Sequence, residues 1–275
     1  MLDLDEEAKE EEKKKHNLLL KHKEVGCPER LSDHLNFFSF LTPMFQFKRF
    51  VIHPEHPPMK VGTDGVLLGA WAELEEAASI LDIGTGTGLI ALMAAQRNAQ
   101  ARIDALEIEP AACQEAAHNI RISPWAERIR LYPQALQAFF PAIGYDCILC
   151  NPPFFVHSTP APDNGRSLAR HTDTLPHTEL IVHAERLLTP HGKFQVILPV
   201  EEACQLIAYA RRYHLFPRKI TRVHPNPGKA PKRLLIQLTR QALPPVETDL
   251  IVELSRHHYS EEYIALTREF YLKME

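Results

Sequence analysis

From Ser79 onward the chain alternates short apolar runs with longer stretches in which apolar residues recur every three or four positions. That alternation is the mark of right-handed βαβ crossovers and a mainly parallel sheet. It predicts strands near 80–83, 103–107, 128–132, 145–150, 193–198, 217–223 and 233–239, and helices near 88–97, 110–121, 177–188 and 200–213. The connection at 224–231 is short and rich in proline and glycine, so the last two of these strands should be antiparallel neighbours. The expected fold is α/β, a doubly wound, mainly parallel seven-stranded sheet with its last strand antiparallel. Upstream, residues 45–52 alternate in strand fashion, 53–58 form a proline-rich turn, and a helix is predicted from Asp64 to about Glu76, with Val66, Leu67, Ala70 and Trp71 facing the core. Residues 1–43 are charged and show no strand pattern. They read as a poorly ordered extension ahead of one domain at 44–275, with Met44 as a candidate start and a further strand and helix in 241–275.

Composition narrows the class. With 275 residues, 45% apolar and 24% charged, the chain can bury a sizeable core. It has no uninterrupted run of about 18 apolar residues, so no membrane span is expected. The first 24 residues carry eight acids and six lysines, which is no secretion signal, and the compartment expected by default is the cytoplasm. Five cysteines, an odd and scattered set, fit reduced thiols. Cys147 and Cys150 spell CxxC, but on a strand that spacing sends the two side chains to opposite faces, unable to grip one ion. No metal and no obligate protein partner are expected.

The formal net charge of −4 hides an asymmetry. Between Ala203 and Val246 there is no acid, and the window holds nine bases: Arg211, Arg212, Arg218, Lys219, Arg222, Lys229, Lys232, Arg233 and Arg240. Such a surplus suits a phosphate backbone, because each contact releases condensed counterions; a solvated face is the equal alternative.

The first predicted strand runs into Asp-Ile-Gly-Thr-Gly-Thr-Gly at 82–88 and then directly into a helix. Glycines there strip Cβ atoms from the turn, so a ligand can lie against bare backbone. Gly84, Gly86 and Gly88 follow a GxGxG spacing, whereas a dinucleotide fingerprint needs GxGxxG. Glu107 closes the second strand, where a carboxylate can accept hydrogen bonds from both ribose hydroxyls; Glu109 lies two residues further on. With this loop and acid, residues 60–200 resemble the class I S-adenosylmethionine-dependent methyltransferases, whose sheet is Rossmann-like. The resemblance implies S-adenosylmethionine as cofactor, with Gly84, Gly86 and Gly88 under its methionine portion, Asp82 near its amino group and Glu107 on its ribose. The acid that many members place after the third strand is missing here, where the sequence reads Tyr-Pro-Gln-Ala at 132–135, leaving Gln134 as the weak substitute for the adenine contact.

The fourth strand ends in Cys-Asn-Pro-Pro-Phe at 150–154. A conjugated amine is a poor nucleophile, since its lone pair is delocalised, so an enzyme must hold and repolarise it. Asn151 can accept one N–H through its side chain and the Pro152 carbonyl the other; Pro152 and Pro153 stiffen the backbone, and Phe154 offers a stacking face. The motif alone leaves open N6 of adenine, N2 of guanine and the amide of a release-factor glutamine. Residues 59–72, 123–128 and 259–271 narrow this, because together they resemble the family of bacterial enzymes that methylate N6 of adenine 37 in the anticodon loop of a valine tRNA. That resemblance spans about 45–274 and implies tRNA as the partner. Within it, Thr63 and Asp64 can reach the cofactor's amine or the catalytic pocket, or either can simply cap a helix. The polar insert at 155–175, with Arg166, Arg170 and His171, follows the catalytic motif directly and is placed to cover the target base. Lys229, Lys232 and Arg233 complete the expected RNA contacts. The alternatives carried beside this reading are a glutamine-amide methyltransferase acting on a release factor and a non-catalytic RNA-binding protein.

Overall fold

The structure is a computed structural model that describes residues 44–53, 61–152 and 175–274. Pro153, Phe154, Arg166, Arg170 and His171 lie outside the described residues, as does the 1–43 extension. The 45–52 segment is a tight hairpin rather than one strand: β1 (Phe45–Gln46) pairs antiparallel with β2 (Val51–Ile52), closed by the Phe47 N–H donating to the Phe50 carbonyl at 2.9 Å. The βαβ series then unfolds as read from periodicity. It comprises α1 (Thr63–Trp71), β3 (Ser79–Ile83), α2 (Leu89–Arg97), β4 (Arg102–Glu107), α3 (Pro110–Ile122), β5 (Ile129–Pro133), β6 (Tyr145–Cys150), α4 (His177–Leu187), β7 (Leu188–Pro199), α5 (Val200–Ala210), β8 (Phe216–His224) and β9 (Arg233–Thr239).

The sheet has eight strands, in the order β10-β8-β9-β7-β6-β3-β4-β5. The eighth, β10 (Val246–Ile251), lies parallel to β8 at the edge, so the reversed strand is β9, antiparallel to both β7 and β8. A small hairpin, β11 (Glu253–Ser255) with β12 (His258–Tyr259), and helix α6 (Glu261–Thr267) close the chain. Among the described residues no helix is long and apolar enough to cross a membrane.

Strand alternation feeds two cores. One face, packed under α1, α2, α3 and α6, takes Ile80, Cys147, Leu149, Ile197 and Leu235; the other, under α4 and α5, takes Leu81, Ile83, Ile148, Cys150 and Ile236. Cys147 and Cys150 therefore sit in different layers, as the strand spacing requires. Burial pushes the Cys147 thiol up to about 12 and that of Cys150 well above its ordinary range, which keeps both as protonated core groups.

Helix α1 stops at Trp71, five residues short of the predicted Glu76. Two amides leave the helical ladder for side-chain acceptors: Glu73 N–H donates to Gln195 Oε1 and Leu74 N–H to Glu75 Oε2, each at 2.9 Å. The helix is buried on every side from Gly65 to Trp71 and lies close on α2. A Cβ on Gly69 would meet the Met93 side chain at 2.7–3.0 Å and one on Gly65 would meet Leu89 at 3.0 Å, so the pair at spacing four sets the approach of the helices.

Candidate active site

The order of strands reverses direction of growth between β3 and β6, and ligands of open α/β sheets bind beyond the carboxyl ends of strands at such a point. The last register pair there is Ile83 with Cys150, so Asn151 emerges beside Gly84. The glycine turn needs its glycines: Gly84, Gly86 and Gly88 all have positive φ, at 68°, 56° and 84°. A Cβ on Gly84 would meet nothing within 4 Å, so the bare backbone faces open space in which a ligand can lie. Gly88 is the N-cap of α2.

Asp82 lies under this turn, fully buried. Its Oδ2 accepts from Thr85 Oγ1 at 2.5 Å and from the Ala91 N–H at 3.1 Å, tying the turn to the first residues of α2. Its Oδ1 is buried with no hydrogen-bond partner among the described residues. Desolvation, reinforced by the Glu107 charge, raises its carboxyl to about 7 even though the Thr85 and Ala91 bonds pull the other way. The sign for stability follows: the folded chain holds this proton between the ordinary carboxylate range and about pH 7, so the contribution is complete in acid and is lost as pH rises through 7. Asp82→Asn should flatten that fall, worth on the order of a few kcal/mol. Calorimetric melting at pH 5 and pH 8 checks it, and an unchanged pH slope in the variant would refute the assignment.

Glu107 stands at the end of β4, part-buried. Its Oε2 accepts from the Gly86 N–H at 2.9 Å, and its Oε1 accepts from the N–H groups of Ile108 and Glu109 at 2.8 and 3.0 Å. The carboxylate is thereby fixed against the glycine turn with lone pairs still to offer. Glu109 does something else: it N-caps α3, accepting from the Ala112 N–H at 2.7 Å. Asn119, which sequence reasoning passed over, is fully buried and ties Thr87 of the turn to His53, donating to the Thr87 carbonyl at 3.0 Å and accepting from the His53 N–H at 2.9 Å.

Asn151 is part-buried and Pro152 buried. The Asn151 Oδ1 has no hydrogen-bond partner among the described residues, and its Nδ2 lies 3.8 Å from where a Gly65 Cβ would be. A larger residue at 65 would press on both Leu89 and the asparagine; the glycine after Thr63-Asp64 was the available signal. The N-cap of α1 is Gly62, with no side-chain cap, so neither Thr63 nor Asp64 caps the helix. Thr63 is exposed, and Asp64 Oδ2 accepts from Arg233 Nε at 2.8 Å. That pair joins two residues assigned separately to cofactor and RNA, and it ties α1 to the first residue of β9.

The nine-base window does not form one face. The β8–β9 connection, with exposed Lys229 and Lys232, lies at the same edge as Asn151, because Arg233 pairs with Pro199 at the carboxyl end of β7. Lys219, Arg218, Arg211, Arg212 and Arg240 lie toward the other end of the sheet, where β8 begins and β9 finishes. Of the nine, Lys219 pairs with Glu73 at 3.2 Å, Arg222 with Glu247, Arg233 with Asp64, and Arg240 with Glu185.

Comparison with known proteins agrees with this geometry. The family model of the methyltransferase small domain matches residues 62–207. A tRNA1(Val) (adenine(37)-N6)-methyltransferase of Parabacteroides distasonis is 48% identical over 236 residues, covering 85% of this chain and 99% of its own length. Proteins of the same name from Bacteroides fragilis and Tolumonas auensis are each 47% identical, over 84% of this chain and 99% and 97% of theirs. Among solved structures, a predicted O-methyltransferase from Agrobacterium tumefaciens superposes with a TM-score of 0.60 at 18% identity, covering 75% of this chain and 96% of its own, a likeness of fold. On the family-model match and the extent of these identities, the chain belongs to the tRNA1(Val) (adenine(37)-N6)-methyltransferase family, within the methyltransferase small-domain group.

Proposed function

We propose that this chain transfers a methyl group from S-adenosylmethionine to N6 of adenine 37 in the anticodon loop of a valine tRNA. The observation that carries the reading is Asn151 Oδ1: a part-buried amide at the switch point of the sheet, beside the glycine turn, whose acceptor is left for a donor from outside. A buried acceptor without a donor costs about 1–3 kcal/mol, which an exocyclic N–H returns. The bare Gly84 backbone, the pinned Glu107 carboxylate and the unpartnered Asp82 Oδ1 fit the cofactor, with Glu107 on its ribose and Gly84, Gly86 and Gly88 beneath its methionine portion. When bound, the cofactor supplies an electrophilic methyl on a sulfonium.

The chain's own part is placement. Asn151 Oδ1 and the Pro152 carbonyl accept the two N–H bonds of the target amine, turning its lone pair out of conjugation and toward the donor. Pro153 stiffens this cradle and Phe154 stacks on the base. An amide has no basicity to speak of near neutrality, so the displaced proton leaves to water and no general base is assigned. Adenine 37 lies in a single-stranded loop, so everting it costs less than opening a duplex. In this reading Arg166, Arg170 and His171 of the insert contact the RNA, as do Lys229 and Lys232. Arg233 contributes through its tie to Asp64.

Transfer of labelled methyl to undermodified tRNA, with digestion to nucleosides, tests the proposal; the mark is expected on N6 of adenine, and a mark on guanine or on a release-factor glutamine overturns it. For the RNA surface, Lys229→Glu with Lys232→Glu should weaken tRNA binding at least tenfold and lower the slope of log K against log salt by about two, one for each phosphate that is no longer neutralised. A slope equal to wild type would make that edge a solvated one.

A further inference from the structure

The far half of the basic window is not used by methyl transfer, and three of its bases, Arg218, Lys219 and Arg240, line a recess. At the end of the sheet remote from Asn151, a cavity of about 390 Å³ is lined by Lys193, Arg218, Lys219 and Arg240, with Gln237 as its buried floor and Glu73 on its wall. Strand β9 runs from Arg233 at the methyl-transfer edge to Thr239 in this recess, six steps or about 20 Å away. Glu73 accepts from Lys193 at 3.1 Å and from Lys219 at 3.2 Å. Against the desolvation of partial burial, those two bonds and one from Gln237 hold its carboxyl down at about 2. Arg240 is held by the Glu185 carboxylate and carbonyl, whereas Arg218 donates to a neutral group, the Pro244 carbonyl, at 3.0 Å. Four cations thus face two carboxylates.

We propose that this recess is a phosphate-binding site. Its surplus of two positive charges matches a phosphate group rather than a carboxylate, and its convergent groups are nearly all donors. The Arg218 guanidinium, two ammonium groups and an amide suit a tetrahedral ligand presenting several acceptor oxygens, and Arg240, its fork taken up by Glu185, adds its charge. Glu73 holds the lysines in place in the absence of ligand and competes with it. The site stands on its own residues and not on the methyl-transfer reading. One chemistry serves two sources, a backbone phosphate of bound RNA or a free phosphate.

A buried tryptophan behind the recess serves as its reporter. Lys219 Nζ lies 4.8 Å from the centre of the Trp71 ring, and Trp125 is the other of the chain's two tryptophans. In full-length Trp125→Phe protein, inorganic phosphate titrated at constant ionic strength against chloride should change Trp71 emission saturably. Arg218→Gln in that background should weaken the effect at least tenfold. Glu73→Gln should tighten it at least threefold, because the competing charge is gone, whereas a merely structural Glu73 predicts loss. No saturation, an undiminished response in Arg218→Gln, or weaker binding by Glu73→Gln protein that circular dichroism shows to be folded each overturns the proposal. The source is read from tRNA binding by Arg218→Gln: a salt slope lower by about one assigns the site to an RNA phosphate, and an unchanged slope with phosphate binding abolished assigns it to a free anion.

Discussion

Asn151→Ala is expected to lower turnover by about 10²–10³-fold while leaving the affinity for S-adenosylhomocysteine within about twofold of wild type, the loss typical of removing one preorganised hydrogen-bonding group from a reaction centre. The separation follows from position. Asn151 follows the last residue of β6 and its Nδ2 lies 3.8 Å from where a Gly65 Cβ would be, while the cofactor's proposed partners, the glycine turn and Glu107, are held by bonds that do not involve it. Truncation also removes an acceptor that has no partner among the described residues, so melting temperature should hold or rise slightly. Single-turnover rates, calorimetric cofactor affinity and melting temperature together decide: equal losses in rate and cofactor affinity, with a lowered melting point, would mean that Asn151 serves the fold.

How much of this was visible in the chain differs by element. The strands near 80–83, 145–150 and 233–239 were legible because central strands are buried on both faces and read as apolar runs. Asn151 was legible from the Asn-Pro-Pro motif that follows the 145–150 run. Strand β10 was legible only as a further strand within 241–275 and not as the eighth member of the sheet, since four of its six residues are exposed at the sheet edge and its sequence carries Glu247 and Asp249 where a core strand carries apolar residues. The helix after Gly62 was legible but its end at Trp71 was not, because Ala-Glu-Leu-Glu-Glu at 72–76 has good helical propensity; Gln195, more than 120 positions away, offers the competing acceptor for the Glu73 amide. The Asp64–Arg233 pair spans 169 positions, which no local pattern reports. The acid-free window misled for a topological reason. Strand β9 reverses direction within it, so neighbouring charges in the sequence are carried to opposite ends of the sheet. The segments at 123–128 and 259–271 turn out to brace the fold. Arg128 donates to the carbonyls of Ala95, Asn98 and Ala101 at the end of α2, and Ser260 N-caps α6.

Glu107→Ala should do the reverse of Asn151→Ala, raising the dissociation constant for S-adenosylhomocysteine about 10²-fold while leaving the single-turnover rate at saturating cofactor within a few-fold. The size comes from two charge-assisted hydrogen bonds to ribose hydroxyls at about 1.5 kcal/mol each, near the low end of their range, which together make about two orders of magnitude. A second loss adds to it. Three backbone N–H groups, of Gly86, Ile108 and Glu109, lose their acceptor, and the glycine turn loses the side chain that fixes its middle residue. Because the site is part-exposed, water takes over those amides and the cost to melting should stay near about 1 kcal/mol. Glu107→Gln separates the contributions: its amide keeps one acceptor oxygen but turns an NH₂ toward backbone donors, so it should bind cofactor more weakly than wild type and melt lower. The discriminating quantity is the alanine variant's affinity. If it stays within threefold of wild type while melting falls, Glu107 is a brace for the turn, and the ribose must be held by another group on the same edge of the sheet.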